Sequence, residues 1–252
     1  MNNNKYNLSP FNELKKKNRR LTDDEDNEVY SEDNQLGYFV RSNTSYNYTV
    51  PIDSNFVEPS YYRGVIQMML NASEDDSVAF LINSNGGSLA GLLSLLEAVN
   101  MTKANTIALI IGNAASAASM FALHCNDVYI SDNATMLCHN GSFGTGGKIT
   151  DVLSHAQHVN KTTEKLMYKT YKHFLTEQEI KDMLSGKEMY LDSEEIIERL
   201  EARAGLQETE QELEKIAEEK ALAEAAILEE VVTEPKPTRP KPAAKSTKKK
   251  VE

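Results

Sequence analysis

The chain has 252 residues, with 27 basic and 38 acidic side chains giving a formal charge of −11, and 40% of its residues are apolar. That composition suits one sizeable core with extensions, and the acidic balance argues against a general nucleic-acid binder. No apolar run approaches the roughly 20 residues that span a bilayer, and no signal peptide opens the sequence. Its two cysteines, Cys125 and Cys138, fit a reducing compartment, so a soluble, cytoplasmic protein is expected.

Residues 1–36 are polar, with a basic cluster from Lys15 to Arg20 and an acidic run from Asp23 to Asp26. Charge blocks of this kind predict a disordered arm. A folded domain is expected over 37–206, beginning with an apolar strand near Tyr46–Ile52 and a helix near Pro59–Leu70. The apolar run Val78–Ile82 then leads into Asn83-Ser84-Asn85-Gly86-Gly87-Ser88. After it comes a helical pattern with Leu89, Leu92, Leu93, Leu96 and Val99 on one face. Two glycines between a strand and a helix let the backbone approach a ligand and aim an N–H at it. No Gly-Lys-Ser/Thr follows and the GxGxxG spacing is absent, which excludes the usual nucleotide loops.

A second strand-to-helix junction follows. The run Thr106–Ile111 leads into Gly112-Asn113-Ala114-Ala115-Ser116-Ala117-Ala118-Ser119-Met120, whose small residues read as the start of a helix. A serine there sits among free backbone N–H groups at the positive end of a helix dipole, which suits a nucleophile whose reaction creates an oxyanion. Close packing of a small-residue helix explains the same letters equally well. Downstream, Thr135–Cys138 predicts a short strand ending at His139, followed by the glycine-rich stretch Asn140–Gly147. A histidine at a strand end is well placed as a general base.

A long helix is predicted from about Ile149 to Phe174, with Val152, Ala156, Val159, Leu166, Met167 and Tyr171 at helical spacing. Thr176 and the acidic Glu177 and Glu179 open a short helix that runs through Leu184 to Gly186. Residues 207–232 read as a charged helix with a thin apolar stripe of Leu213, Ile216, Ala223 and Ile227. Residues 233–252 form a Pro/Lys-rich disordered tail that either recruits a partner or only solubilises the chain. Strands and helices alternate, which is an α/β pattern with short parallel strands. A zinc site built from His124-Cys125 and Cys138-His139 lacks the usual ligand spacing, and neighbouring residues on a strand face opposite ways.

Taken together, Asn-Ser-x-Gly-Gly, Gly-x-Ala-Ala-Ser and a strand ending in His resemble the ClpP family of serine peptidases. The likeness continues through Thr150 to Ala156, similar to the start of that family's long handle helix, and covers about 45–206. It implies that 37–206 is a ClpP-like peptidase domain with the ClpP/crotonase-like superhelix of ββα units. It also implies Ser116 as nucleophile and His139 as base, with an oxyanion hole from the N–H groups of Gly87 and Ala117. Ser119, one turn on, competes for the nucleophile role, but Gly112 puts Ser116 in register. Where the family carries aspartate two residues before an aromatic, this chain has Glu188, with Asp182 and Asp192 as alternatives. Asn85 stands where the family has proline.

The resemblance further implies homo-oligomeric rings joined by the handle helices around a chamber. A peptide or unfolded-protein substrate would pair with the strand after the glycine-rich loop. No cofactor or metal is implied, and neither membrane nor nucleic acid is an expected partner. The repeat Ala-Ala-Ser-Ala-Ala-Ser is similar to phage-carried relatives, which trim capsid or scaffold proteins; an ATP-dependent unfoldase is the other expected partner. Two other classes stay open. One is an acyl-CoA enzyme of the crotonase type, which shares the fold without needing Ser116 and His139. The other is a catalytically inactive assembly subunit, suggested by the missing aspartate.

Overall fold

The computed structural model describes residues 39–42 and 45–207 together with 209, 210, 212, 213 and 215. The chain divides into two compact units, one ending at Leu206 and the other beginning at Gln207. The expected arm over 1–36, most of the charged helix over 207–232 and the tail over 233–252 lie outside the described residues. In the second unit, the described positions are helical.

The first unit is an α/β fold around seven strands: β1 (Phe39–Ser42), β2 (Tyr46–Ile52), β3 (Ser77–Ser84), β4 (Asn105–Ala115), β5 (Asp127–Ile130), β6 (Thr135–Cys138) and β7 (Met189–Leu191). A 3-10 turn, Pro59–Tyr62, leads into α1 (Arg63–Asn71). The remaining helices are α2 (Leu89–Met101), α3 (Ala117–Ala122), α4 (Ile149–Tyr171), α5 (Glu177–Leu184) and α6, which covers 193–206 of this unit. The sheet runs β1-β2-β3-β4-β6-β7, with β5 also on β4. Pairings among β2 to β6 are parallel, and the edge pairs β1–β2 and β6–β7 are antiparallel.

One sheet face is buried under helices. Val78, Phe80, Ile82, Ala108 and Ile110 alternate inward with period two and meet Leu92, Leu95, Met69 and Phe121. Phe80 and Phe121 meet edge-to-face with centroids 4.8 Å apart, worth about 1 kcal/mol beyond area burial. On α2 the buried face is Leu92, Leu95, Leu96 and Ala98, while the expected Leu93 points outward. Gly91 explains the rotation: it packs so tightly that a Cβ there would lie 2.0 Å from the Val57 carbonyl oxygen. That close approach places position 91, and hence 95, on the inner side.

β4 is longer than the sequence predicted, running through Ala115 instead of stopping at Ile111. It pairs with β5 along Ile107–Ile110 and with β6 along Asn113–Ala115. Its register with β3 slips by two residues between the pairs Ile82↔Ile110 and Ser84↔Ala114. The bulge falls on Ile111-Gly112-Asn113, and such irregularities re-aim the strand that follows.

α4 ends at Tyr171, three residues short of the expected Phe174, and only its last turn enters the core, through Met167, Thr170 and Tyr171. Its first turns stand out: Ile149 is 87% exposed and Leu153 59%. α5 opens on a complete capping box between Thr176 and Glu179, where the sequence predicts a helix start from its acidic first turn. Between His139 and α4 no strand forms. A Cβ on Gly144, Gly146 or Gly147 would meet nothing within 4 Å, and the segment's side-chain contacts are to α4, where Phe143 and Thr145 meet His155.

Candidate active site

Two strand-to-helix turns and one strand end make up the site. Asn83 joins the two turns. Its Oδ1 accepts the Asn113 N–H at 3.0 Å, which satisfies the bulge of β4. A Cβ on Gly112 would lie 2.4 Å from that same Oδ1, so glycine is required where the Asn83 carboxamide crosses. The Asn113 Nδ2 donates to Asn85 Oδ1 at 2.8 Å, and Thr135 donates to Asn113 Oδ1 at 3.3 Å. Asn85, standing where the family has proline, thus ties β3's turn to β4. These side-chain links leave no signal in the sequence, since either asparagine reads locally as a turn former.

Beyond Asn85 the backbone runs through Gly86 at φ +89° and Gly87 at φ +139°, in the region L side chains avoid. Phe56 pairs alongside: its N–H donates to Gly86 O at 2.7 Å, and its carbonyl accepts from Ser88 N–H at 2.8 Å. In that parallel bridge the intervening Gly87 N–H points away from Phe56. On its other side Gly86 lies against the second turn.

That second turn is the junction of β4 and α3. Ser116 holds φ 58° and ψ −120°, a conformation costing on the order of 1–3 kcal/mol for a non-glycine residue. Its N–H still donates to Leu137 O at 2.9 Å, and its carbonyl accepts from Met120 N–H at 3.2 Å. Ala117 is therefore the first residue of the helix, and its N–H precedes the intrahelical ladder. A strained residue at a sharp strand-to-helix turn is exposed at the end of the sheet, a setting that suits a nucleophile.

β6 delivers His139 two residues beyond Leu137, the acceptor of the Ser116 N–H. Leu137 and His139 share the face opposite the buried Met136 and Cys138. On the far side, β7 pairs Cys138 with Met189 and Leu137 with Tyr190. The observed register ends there, with His139 following Cys138 and Glu188 preceding Met189. A cavity of about 740 Å³ opens here, lined by Asn85, Asn113, Thr135, Leu137, His139 and Tyr190 among others. Ala115 contributes the lining at the end of β4, and Ser116 is the next residue in the chain.

The Ser116 hydroxyl and the His139 imidazole are half-buried, and neither makes a side-chain hydrogen bond among the described residues. Glu188 is exposed and its carboxylate accepts the Tyr190 phenol; this bond holds the Tyr190 pKa above its ordinary value. Asp182 lies away from β6, bonded to Gln178 at 2.7 Å and to Lys187 at 3.3 Å. Asp192 lines the cavity but caps α6, accepting the Glu195 N–H at 2.9 Å. Ser119, the rival serine, is fully buried and bonded to three oxygens. His124 is tied to Met120 O at 2.8 Å. Burial pushes the Cys138 thiol up to about 12 and raises the Cys125 thiol as well, so both behave as small hydrophobes. Among the described residues no group of three His, Cys, Asp or Glu side chains is placed to hold a metal ion.

The Clp protease family profile matches residues 47–208, more than half of the chain. The chain belongs to the Clp protease family. Among curated proteins it is 30% identical to the ATP-dependent Clp protease proteolytic subunit of Chlamydomonas reinhardtii over 105 residues, 40% of this chain and 20% of the relative. It is 28% identical to the subunit of that name from Streptococcus suis (strain 98HAH33), over 117 residues. For that of Streptococcus pneumoniae (strain 70585) the figure is 30% over 117 residues, covering 44% of this chain and 60% of the relative. The matched segment thus spans well under two thirds of each of these relatives.

Proposed function

We propose that this Clp-family chain is a serine endopeptidase, with Ser116 as nucleophile, His139 as its general base and the N–H groups of Gly87 and Ala117 as the oxyanion hole. The observation that carries the reading is the contact between the two turns. The Gly86 backbone rests on the Ala115–Ala117 segment, which supports reading the neighbouring Gly87 and Ala117 amides as one oxyanion site beside a strained serine.

The chemistry follows from those positions. His139 removes the hydroxyl proton as Ser116 attacks the scissile carbonyl, and the imidazolium then returns the proton to the leaving amine. The two amides stabilise the tetrahedral oxyanion, roughly 3 kcal/mol each in comparable sites. Glu188 is the third member in this reading: it adjoins Met189, the partner of Cys138, as His139 adjoins Cys138, which supports a carboxylate that orients the imidazole and balances its charge. Glutamate reaches further than aspartate, and the Tyr190 phenol on its carboxylate limits that reach.

The exposed Ile149 and Leu153 on α4 suit burial against another copy, in keeping with rings and a chamber in which peptides or unfolded proteins are cut. The glycine-rich segment after His139 orders as a strand when an extended substrate pairs with it. Among the described residues no helix is long and apolar enough to cross a membrane, and a cytoplasmic location belongs to this reading. Feeding by an ATP-dependent unfoldase and trimming of phage capsid or scaffold proteins are its two partner arrangements. They separate on whether a folded substrate is cut without an added ATPase.

Reaction with a fluorophosphonate, read by intact mass and peptide mapping, tests the assignment. Labelling at Ser116 that Ser116→Ala abolishes, together with loss of fluorogenic peptide cleavage, is the expected result. A well-folded, assembled sample that neither labels nor cleaves favours the inactive assembly subunit. That second reading draws on the Glu188 carboxylate being engaged by Tyr190.

A further inference from the structure

Ser119 and Tyr171 form a buried link between the end of α4 and the turn that carries Ser116. Both residues are 0% exposed. The Ser119 Oγ lies 2.7 Å from Ser116 O, 3.1 Å from Leu137 O and 2.8 Å from the Tyr171 hydroxyl. Counting protons fixes the direction. Ser119 has one hydroxyl hydrogen, and two of its neighbours are carbonyl oxygens that can only accept. If that hydrogen pointed to Tyr171, Ser119 lone pairs would face both carbonyls, an arrangement strongly disfavoured in a buried site. The phenol therefore donates to Ser119, and Ser119 donates to the carbonyls, principally the nearer one on Ser116. The Cys138 thiol also lies against the phenol.

The carbonyl so held belongs to the peptide group joining Ser116 to Ala117. A trans peptide is planar, with its C=O and N–H antiparallel. Anchoring the carbonyl inward, through Ser119 Oγ and the Met120 N–H, turns the Ala117 N–H outward. The same hydroxyl grips Leu137 O, the acceptor of the Ser116 N–H, so one side chain braces both β6 and the turn.

We propose that Ser119 and Tyr171 are positioning residues that aim the Ala117 N–H at the oxyanion and couple this aim to the seating of α4. The inference rests on the peptidase reading of Ser116. Neither residue touches the reacting atoms, and neither supplies a proton to them. What they supply is the orientation of one peptide plane, which matters only when negative charge develops on the substrate oxygen. Loss of the link therefore weakens transition-state binding without weakening substrate binding.

The test compares full-length wild type, Ser119→Ala and Tyr171→Phe. Fluorophosphonate titration sets the number of competent sites, so partial misfolding drops out of the comparison. The readouts are kcat per titrated site, KM for a fluorogenic peptide, and affinity for a peptide boronic acid, whose adduct mimics the tetrahedral oxyanion. Ser119→Ala is expected to lower kcat and boronate affinity together by roughly tenfold or more, with KM within about twofold, since losing an oxyanion donor outright costs on the order of a hundredfold. Tyr171→Phe moves the same way by less, and carries the test if Ser119→Ala does not fold. A wild type that reacts at Ser116, with variants matching it per site in both kcat and boronate affinity, overturns the inference alone. A wild type inert at Ser116 overturns the peptidase reading and this inference with it.

Discussion

Gly86 lies directly against the turn that carries Ser116: a methyl group on its Cα would sit 2.6 Å from Ala115 O, 2.7 Å from Ser116 Cβ and 2.8 Å from Ala117 N. The first glycine of the β3 turn is therefore a spacer that lets two backbone segments touch. Its φ of +89° would strain any other residue as well. Gly86→Ala should push the two turns apart and cost a few kcal/mol of stability, through both the clash and the backbone strain. Fluorophosphonate labelling of Ser116 should fall at least tenfold in the fraction that stays folded. Circular dichroism melting and labelling kinetics, run together, separate the two effects.

The identity of the third triad member comes down to three carboxylates in different settings. Glu188 adjoins the last β6–β7 pair, Cys138 with Met189, Asp182 is engaged by Gln178 and Lys187, and Asp192 caps α6. Glu188→Gln should reduce kcat/KM by roughly a hundredfold to ten-thousandfold, the range expected when a catalytic imidazole loses its orienting charge. Asp182→Asn should leave turnover near wild type. Asp192→Asn, which retains a capping side chain, should do the same. A large loss at Asp182 or Asp192 with none at Glu188 reverses the assignment.

Away from the site, Arg199 makes two parallel bonds to Glu179, at 2.8 and 2.9 Å, and a further bond to Phe174 O at 3.3 Å. The guanidinium, aided by the Thr176 cap, lowers the Glu179 pKa from its ordinary 4.5 to about 2. A carboxyl with a depressed folded-state pKa contributes stability above its unfolded value and loses it as pH falls through the folded one. The stabilisation should thus be complete at neutral pH and disappear between about pH 4.5 and about 2. Glu179→Gln should remove this component, lowering stability at pH 7 by about 2 kcal/mol while changing little at pH 2. Urea melts across that pH range measure the difference directly.

The alternation of apolar runs with glycine-bearing turns made the α/β order legible from the sequence, and the acidic turn after Thr176 marked the start of α5. What escaped detection came from tertiary contacts. β4 reaches Ala115 because β6 pairs with it and Asn83 satisfies its bulge, although Ala114-Ala115-Ser116-Ala117-Ala118 has the local propensity of a helix. β5 is four residues long and opens at Asp127 after Asn126, so its Val128-Tyr129-Ile130 is too short a run to establish a strand on propensity alone. The positions of Ser116, His139 and the two glycines were legible because their motifs sit at element boundaries. Asn83 on Gly112, and Tyr171 on Ser119, were not: each pair is separated in sequence and joined by one side chain crossing between elements.

The proposed chemistry requires two amides, those of Gly87 and Ala117, to converge on one oxygen beside the Ser116 hydroxyl. A crystal structure of the fluorophosphonate adduct measures this directly, because the phosphonyl oxygen takes the place of the oxyanion. It is predicted to lie about 2.7–3.1 Å from both nitrogens, with the His139 imidazole turned toward the modified serine. An adduct on Ser116 whose oxygen points to solvent, with neither amide within hydrogen-bonding distance, would contradict it.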